Sequence, residues 1–209
     1  GAVSGRFREY DVLRYSMRSV RTFLPQTRRI HLVVADDEAL PSWLRKEHGG
    51  VRVVRHSQIM PLDALPTFNS NAIETNLHLI PGLAECFVYL NDDMLLGRHQ
   101  TLDHYWDSSL GVQRVHFGPW IAPMIDRVEN NAWHRAVARS NEELSKKFGM
   151  ASRAYPLHGC YFFHKTIFAE MRRLFDDAFE RTLFAKFRSQ KDMVISFVYS
   201  HVAVLSFGA

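Results

Sequence analysis

The sequence contains little cysteine and none of the short signatures that identify common nucleotide-binding enzymes. Its 209 residues include two cysteines, Cys86 and Cys160, which are too few for a scaffold held by several disulfides. We expect both thiols to be free and structural, with one disulfide as the alternative. A Walker loop, a G-x-G-x-x-G motif, a G-x-S-x-G elbow and zinc-like spacing of Cys and His are missing, so none of these sites is predicted.

Long apolar runs and biased segments are missing as well. No run approaches the ~20 apolar residues that a transmembrane helix needs, and the N-terminus lacks a signal-peptide pattern. Internal repeats, low-complexity tracts and breaks in composition are absent, so we expect residues 1–209 to form one catalytic-type domain without a linker. Both ends resemble those of an excised piece, and we expect any location signals to lie elsewhere in a longer protein.

The residues that are present fit a globular domain with an anionic substrate. Hydrophobic residues make up 46% of the chain, with fifteen Phe and four Trp, which is enough for a sizeable core. The net charge is +4 and the sequence pI is about 9.2. This mild excess of basic residues suits a phosphate or a nucleotide, but it is too weak and too scattered to predict nucleic-acid binding.

The stretch around which the chain is organised covers residues 87–94. Residues 87–90 are apolar, aromatic or β-branched, a pattern typical of a buried strand. Asn91, Asp92 and Asp93 follow directly, at the strand end where open α/β sheets bind ligands. Adjacent carboxylates repel each other unless a cation or a basic group offsets their charge, and oxygen ligands suit Mg²⁺ or Mn²⁺ carrying a diphosphate. The alternative is a solvated turn.

Strands and helices alternate along the first half of the chain, which indicates an α/β fold. The patterns predict strands at residues 30–34, 51–54, 87–90 and 112–117. They predict helices at residues 8–24, 40–44, 71–80, 101–106, 131–148, 165–175 and 193–204, and loops at 61–67 and 119–123. We therefore expect a three-layer α/β sandwich with a mostly parallel central sheet.

Several residues have local structural interpretations. Asp36 or Asp37, in the acidic cluster that follows the first strand, is interpreted as a turn and capping residue. Asn71 and Glu74, three residues apart, form a predicted capping box. The buried side of the helix at 131–148 is expected to consist of Trp133, Val137, Leu144 and Phe148.

Four further residues are candidates for the chemistry. His158 lies in an irregular segment, and histidine is the usual proton carrier near neutral pH. Arg188, just before the last helix, would bind a phosphate. For each of these two the alternative is an ordinary surface residue. Asp192 is placed to cap the last helix, and Arg14 belongs to an arginine stripe that is expected mainly to face solvent.

Several blocks of sequence occur in an order that resembles the Stealth family of sugar-phosphate transferases. In this chain they are residues 8–19, 40–44, 65–70, 72–74, 80–83 and 87–93. They are similar to the family's second conserved region, and the match continues into the third through Phe148-Gly149, Pro156, His158 and residues 188–193. The family includes the α/β subunit of the lysosomal-enzyme N-acetylglucosamine-1-phosphotransferase and bacterial capsule polysaccharide phosphotransferases. Several blocks in order are far more specific than any single motif.

The resemblance implies a fold similar to GT-A nucleotide-sugar transferases and transfer of a sugar 1-phosphate, such as N-acetylglucosamine 1-phosphate, from a nucleotide diphospho-sugar to a sugar hydroxyl. The acceptor oxygen would attack the phosphorus nearer the sugar and release a nucleoside monophosphate. His158 would be the base and Arg188 would neutralise the phosphate, while Asp93 with Asp92 would hold Mg²⁺ or Mn²⁺. The remaining predicted substrate-binding residues are Asn91, Asp192 and Arg14.

The chain also departs from the family pattern. The first conserved region, a strand reading like Asp-Val-Val-Tyr-Thr-Trp-Val, is missing upstream, and the fourth region is missing as well. Because the first strand would contribute to the sheet and the nucleotide pocket, we expect this piece to be incomplete as an enzyme. Tyr161 stands where the lysosomal enzyme has a second histidine.

Two other functions stay open at this point. A metal-dependent glycosyltransferase would use the same pocket but break the bond at the sugar carbon and release a diphosphate. A non-catalytic module would bind a nucleotide or a glycan phosphate without turnover. The expected partners are a nucleotide diphospho-sugar and a glycan acceptor, with no nucleic acid and no transmembrane segment. The compartment is open, since bacterial relatives work in the cytoplasm or at its inner membrane and eukaryotic relatives in the Golgi lumen.

Overall fold

Helices and strands alternate along the chain in the computed structural model, which describes residues 11–38, 40–44, 50–123 and 131–209. The helices are α1 Val12–Phe23, α2 Ser70–Glu74, α3 Ala132–Phe148, α4 Lys165–Leu174, α5 Asp176–Leu183 and α6 Ile195–Phe207. The strands are β1 Ile30–Val34, β2 Val51–Arg55, β3 Cys86–Tyr89, β4 Trp106–Asp107, β5 Val112–Gln113, β6 Phe117–Ile121, β7 Ala154–Pro156 and β8 Tyr161–His164.

The strands of the described ranges pair into four two-stranded ladders. β1 and β2 are parallel, in register from Ile30 opposite Val51 to Val34 opposite Arg55. The pairs β3–β8, β4–β5 and β6–β7 are antiparallel. β4 and β5 are joined by a short turn, and such a connection permits only antiparallel pairing. The mixed α/β class is confirmed, whereas the described residues do not form the single, mostly parallel sheet that was predicted.

The main hydrophobic core surrounds α6. Its residues 195–203 are all buried, as in a helix that is packed on every side. Tyr199 of this helix packs against Phe163 of β8 and Phe168 of α4, with ring centroids 4.4 and 5.5 Å apart. Its hydroxyl donates to Gln113 Oε1 at 2.9 Å, so the one polar atom of this buried ring has a partner.

A smaller hydrophobic cluster holds α1 against the segment that follows β3. The cluster consists of Val20, Leu24, Leu96 and Tyr105. Ser19 Oγ also accepts the backbone N–H of Leu96 at 2.9 Å. These contacts place α1 beside the end of β3, where the Asn-Asp-Asp sequence lies.

The helix predictions are largely confirmed, with small shifts at the ends. α1, α3, α4 and α6 lie where the periodicity places them, although residues 8–10 of the first predicted helix lie outside the described residues. The helix predicted at 71–80 is α2 followed by a 3₁₀ turn at Leu77–Leu79, and the one at 101–106 is a 3₁₀ turn at Leu102–His104 that leads into β4. No helix of the described ranges combines the length and the apolar character that crossing a bilayer requires.

Other segment predictions are wrong. The segment 119–123 was predicted as a loop, but β6 extends to Ile121 and includes Pro119. The β6–β7 ladder is irregular between Phe117 and Ile121, and a proline is tolerated at such an irregularity. Residues 40–44 form a turn and not a helix. On α3, Trp133 is 43% exposed, because its ring stacks on Trp120 of β6 and not on the core.

Candidate active site

A cleft of about 840 Å³ is lined by the whole lengths of β1 and β3. Every residue of β1 and β3 is only half-buried, although the sequence of residues 87–90 predicts a buried strand. Within the described ranges β1 pairs only with β2, and β3 pairs only with β8. The other edge of each strand is therefore open to the cleft, which explains the partial burial.

The Asn-Asp-Asp sequence forms the turn that follows β3. The backbone N–H of Met94 donates to the carbonyl of Asn91 at 3.1 Å and closes this turn. Asn91 is half-buried, while Asp92 and Asp93 are exposed. All three residues line the cleft, so both carboxylates directly follow β3 and lie at this cleft.

Arg188 reaches the same cleft from the far end of the chain. Its Nη2 donates to Ser70 Oγ, the first residue of α2, at 2.8 Å. Both residues line the cleft together with Asp92 and Asp93. The guanidinium has five N–H groups, and the bond to Ser70 uses one of them. The fold thus brings a basic group and two carboxylates, distant in sequence, to one pocket.

Asp192 is a buried anchor for the segment that carries Arg188. Its side chain is 1% exposed, and its Oδ2 accepts from Asn69 Nδ2 at 2.9 Å, from Asn71 Nδ2 at 3.3 Å and from Ser189 N at 2.9 Å. The predicted role as the N-cap of the last helix is wrong, because α6 begins later and Val194 occupies its N-cap position. Asp192 instead joins the segment before α2 to the segment that contains Arg188.

The predicted capping box at Asn71 and Glu74 is also wrong. Asn69 is the N-cap of α2, and its side-chain oxygen accepts the backbone N–H of Asn71 at 3.1 Å. The side chain of Asn71 is directed to Asp192 instead. For the acidic cluster after β1, the predicted turn is confirmed at residues 36–37. The predicted capping role is wrong, because no helix forms at residues 40–44, and Asp36 instead accepts from the backbone N–H and the hydroxyl of Ser57.

Glu74 is a functional candidate that the sequence pattern did not identify. It is buried, and the pKa of its carboxyl is raised to about 7 by this burial, while a hydrogen bond from Tyr89 and the charge of Arg188 act in the opposite direction. Ser70, the partner of Arg188, lies one helical turn before Glu74 on α2. The sequence indicated a function for Glu74 through the block 72–74, which is one of the blocks that resemble the Stealth family.

Tyr89 connects Glu74 to the Asn-Asp-Asp turn. Its hydroxyl oxygen lies 3.1 Å from Glu74 Oε1 and 2.6 Å from Asn91 Oδ1. A phenol has a single proton to donate. When Glu74 is ionised, Tyr89 can donate to it. When Glu74 is protonated, it can donate to Tyr89 while Tyr89 donates to Asn91, so both hydrogen bonds form together only in that state. The raised pKa of Glu74 permits that state near neutral pH.

His158 lies in the loop between β7 and β8 and is exposed. In the antiparallel β3–β8 ladder Tyr89 is opposite Tyr161, so the residues that lead into β8 lie at the same end as the turn that leaves β3. His158 Nδ1 is 3.5 Å from the Tyr161 hydroxyl, a long separation for a hydrogen bond. Tyr161 stacks on Tyr89 with ring centroids 6.5 Å apart, and burial raises the pKa of the Tyr161 phenol.

Three of the predicted site residues, His158, Arg14 and the buried Asp192, are not among those that line the cleft. His158 lies at the end of the β3–β8 ladder where β3 ends, but it does not line the cleft. Arg14 lines a different pocket, of about 660 Å³, with Arg18 and Arg21. Its guanidinium is 3.5 Å from Asp11 Oδ2 and lies over the ring of Trp43, 5.3 Å from the centroid. The structure therefore brings Asn91, Asp92, Asp93 and Arg188 together but does not bring Arg14 to them.

The donor set at the cleft fits a hard divalent cation that is shared with a substrate. Within the described ranges no three His, Cys, Asp or Glu residues converge to hold a metal by themselves. Asp92 and Asp93 are exposed and supply only carboxylate oxygens. Mg²⁺ is commonly held by one or two carboxylates together with substrate phosphates and water. Cys86 and Cys160 are free thiols, as predicted.

Comparison with known proteins identifies two conserved regions of one family in this chain. Stealth protein conserved region 2 matches residues 6–114, and conserved region 3 matches residues 157–204. The first match includes Glu74 and the Asn-Asp-Asp turn, and the second includes His158, Arg188 and Asp192. Every residue of the cleft discussed above lies within one of the two matched regions.

Three relatives illustrate the similarity over the whole chain. An exopolysaccharide phosphotransferase of Streptomyces coelicolor is 34% identical over 209 residues, which are 99% of this chain and 22% of that protein. The capsular polysaccharide phosphotransferase SacB of Neisseria meningitidis serogroup A is 34% identical over 205 residues, 97% of this chain and 37% of SacB. The exopolysaccharide phosphotransferase CpsY of Mycobacterium tuberculosis is 32% identical over 204 residues, 97% of this chain and 38% of CpsY.

The chain therefore spans 22 to 38% of the length of these three relatives. The two matched conserved regions together leave only the first residues, the segment 115–156 and the last residues outside. The chain belongs to the Stealth family, with residues 6–114 and 157–204 as its second and third conserved regions.

Proposed function

We propose that the protein transfers a sugar 1-phosphate from a nucleotide diphospho-sugar to a hydroxyl group of a glycan. The products are a phosphodiester-linked sugar and a nucleoside monophosphate. The observation that carries the proposal is the cleft in which Asn91, Asp92, Asp93 and Arg188 meet. It is supported by relatives that are named exopolysaccharide and capsular polysaccharide phosphotransferases.

The cleft is assigned to the donor. Its volume of about 840 Å³ lies within the range of small-molecule sites. Among the described residues Arg188 uses one of its five guanidinium N–H groups, in the bond to Ser70, and it would bind the diphosphate through the others. Asn91 and Asp192 are the other two residues assigned to donor binding. Asn91 would contact the donor, and Asp192 holds the backbone at Ser189.

The reaction is a displacement at phosphorus. The acceptor oxygen forms a bond to the phosphorus nearer the sugar, and the bond from that phosphorus to the bridging oxygen breaks. The nucleoside monophosphate leaves with the bridging oxygen and its electron pair. The acceptor hydroxyl gives its proton to His158, which stands at the same end of the β3–β8 ladder as the Asn-Asp-Asp turn.

Asp93 and Asp92 would hold a Mg²⁺ or Mn²⁺ ion, which would neutralise charge on the phosphoryl oxygens. Glu74 acts as a positioning residue, because its contact with Tyr89 fixes the phenol that in turn holds Asn91. Its buried carboxyl also faces the charge of Arg188. Arg14 stays a candidate contact only for an anion in its own pocket.

For the full-length protein we keep the three-layer arrangement of GT-A nucleotide-sugar transferases as a proposal. The open edges of β1 and β3 that line the cleft support it. One additional strand between these edges would join the β1–β2 and β3–β8 ladders into a continuous sheet. The Stealth family's first conserved region would supply this strand, as the resemblance implies.

The decisive experiment is analysis of the released nucleotide. The full-length protein is incubated with a panel of nucleotide diphospho-sugars, Mg²⁺ and a neutral oligosaccharide, and the products are separated by anion-exchange chromatography. We expect a nucleoside monophosphate together with a new phosphodiester signal in the ³¹P NMR spectrum. A nucleoside diphosphate would assign the protein to the glycosyltransferases instead. Donor binding without any product would identify a non-catalytic module.

A further inference from the structure

A pair of exposed indole rings lies on the surface beside the loop of His158. Trp120 of β6 is 38% exposed and Trp133 of α3 is 43% exposed. Their rings are stacked, with centroids 5.5 Å apart and an angle of 27° between the planes. Large apolar side chains that remain exposed together commonly mark a binding surface. We call Trp120 and Trp133 the aromatic platform.

The aromatic platform packs on aromatic residues that connect it to the main core. The ring of Tyr155, on β7, contacts Trp120 and Trp133 edge-on, at centroid distances of 5.6 and 5.3 Å. Tyr155 in turn stacks on Phe197 of α6 at 5.7 Å, and Phe197 is fully buried. Asn131 fixes the backbone of Trp133 as the N-cap of α3, since its Oδ1 accepts from Trp133 N at 2.9 Å. The platform is thus anchored to the main core.

The position of the aromatic platform relates it to the acceptor side of the reaction. Tyr155 and His158 are three residues apart, so their Cα atoms lie within about 11 Å of each other. Leu157 N donates to His116 O at 2.8 Å, which continues the β6–β7 pairing towards His158. Neither Trp120 nor Trp133 lines the cleft that is assigned to the donor. A short oligosaccharide could therefore contact the platform while one of its hydroxyl groups is at His158.

We infer that the aromatic platform is a glycan subsite, at which a sugar ring of the acceptor packs its C–H face against the exposed part of the Trp120–Trp133 pair. An indole offers a flat apolar face and an N–H group at its edge, which match the apolar face and the hydroxyl rim of a pyranose. The acceptor assignment rests on the proposed function. The sugar-binding property of the platform can be measured without any transfer reaction.

Direct binding is the first test. Neutral di- and trisaccharides of glucose, galactose and N-acetylglucosamine are titrated by calorimetry into the wild-type protein and into Trp133→Ala, Trp133→Tyr and Trp120→Ala, without a donor. Because an aromatic contact is lost, we expect each alanine variant to bind about tenfold more weakly. Trp133→Tyr should recover most of the affinity, since it keeps a ring. The matched control is Phe207→Ala, an aromatic side chain of 42% exposure at the opposite end of α6 from Phe197.

Kinetics are the second test. In the alanine variants the KM for the acceptor should rise about tenfold, while the affinity for the donor stays unchanged. If no sugar of the panel binds the wild-type protein, or if the alanine variants bind as Phe207→Ala does, the inference is wrong. A loss of donor affinity would mean that the platform stacks a nucleobase. Sugar binding that depends on Trp133 in a protein without transfer activity would support the subsite and contradict the proposed function, so the two failures are distinct.

Discussion

Glu74 and Tyr89 join the first half of the site into one hydrogen-bonded unit. Glu74 Oε1 lies 3.1 Å from the Tyr89 hydroxyl, which lies 2.6 Å from Asn91 Oδ1. This connection runs from α2, where Ser70 holds Arg188, to the turn that carries both aspartates. A change in the charge of Glu74 should therefore affect Arg188 and the Asn-Asp-Asp turn together.

Ionisation of Glu74 is predicted to destabilise the folded protein. Burial raises the pKa of its carboxyl from 4.5 to about 7, so between these values the folded protein binds more protons than the unfolded chain. The contribution of Glu74 to the free energy of unfolding should therefore decrease by about 3 kcal/mol as the pH rises through this interval, and this group should add no further change above it. Buried His78 and His201, whose pKa values are lowered to about 4, change the stability in the opposite direction, so the contribution of Glu74 is read as the difference between wild type and variant. Urea unfolding at a series of pH values for the wild type and Glu74→Gln measures the effect.

The free energy of unfolding of the wild type relative to Glu74→Gln should therefore decrease between pH 4.5 and about 7, because the amide does not titrate. Glu38→Gln is the matched control, since Glu38 is exposed, and it should keep the wild-type dependence on pH. The interpretation of Glu74 as a buried, protonated residue is excluded if the two variants show the same dependence. Transfer activity should fall in Glu74→Ala and recover partly in Glu74→Gln, which can still contact Tyr89.

Removal of the charge of Asp93 is predicted to abolish turnover without unfolding the protein. Asp93 is exposed, so Asp93→Asn should leave the melting temperature nearly unchanged. Turnover should fall about 100-fold or more, because the variant loses a carboxylate ligand for Mg²⁺ at the transferring phosphate. Asp63→Asn, at another exposed aspartate, is the control. Activity that persists in Asp93→Asn and resists a chelator would exclude the metal role.

Local patterns in the sequence predicted the elements that hold the site but not how its residues pair. Residues 87–93 combine an apolar run with an abrupt change to carboxylates, and this pattern correctly placed Asp92 and Asp93 at the end of a strand. The helical periods around α1 and α3 are equally local. The antiparallel β3–β8 pairing depends on contacts between distant segments, which a single sequence does not contain.

The roles of Glu74 and Asp192 could not be predicted for the same reason. Both residues stand where a carboxylate can cap a helix, and local spacing favours that interpretation. In the fold each carboxyl is buried against another segment, Glu74 against Tyr89 and Asp192 against Asn69. Only the family resemblance, through the blocks that contain them, gave an independent indication of function.

The loss of Asp192 is predicted to destabilise the protein and to weaken donor binding together. Its Oδ2 accepts three N–H groups, one from the buried Asn69 and two from the half-buried Asn71 and Ser189, so Asp192→Ala removes the acceptor of all three. The expected loss of stability is about 1–3 kcal/mol, measured by urea unfolding. Donor affinity should fall because the Arg188 segment is no longer tied to Asn69. The exposed Asp177 provides the control Asp177→Asn, and equal affinities in the two variants would contradict the anchoring role.

The last prediction separates the base from the phosphate-binding residue. His158→Ala should abolish transfer to a sugar hydroxyl and leave donor affinity nearly intact, because the base contacts the acceptor. Arg188→Ala should weaken donor binding, because it removes the group assigned to the phosphate, and Arg188→Lys should restore part of it. Calorimetric titration of the donor beside turnover measurements compares the variants, with His99→Ala, at another exposed histidine, as the control.

The pH dependence of the same variants identifies the group that takes the proton. A base must be deprotonated to act, so kcat/KM should rise with pH across the range in which histidine titrates. Glu74, with a pKa of about 7, would produce a similar rise if it were the base. The rise should persist in Glu74→Gln if His158 is responsible and vanish if Glu74 is. If His158→Ala loses donor binding as severely as Arg188→Ala, His158 belongs to the donor site, and the buried carboxyl of Glu74 becomes the first candidate for the base.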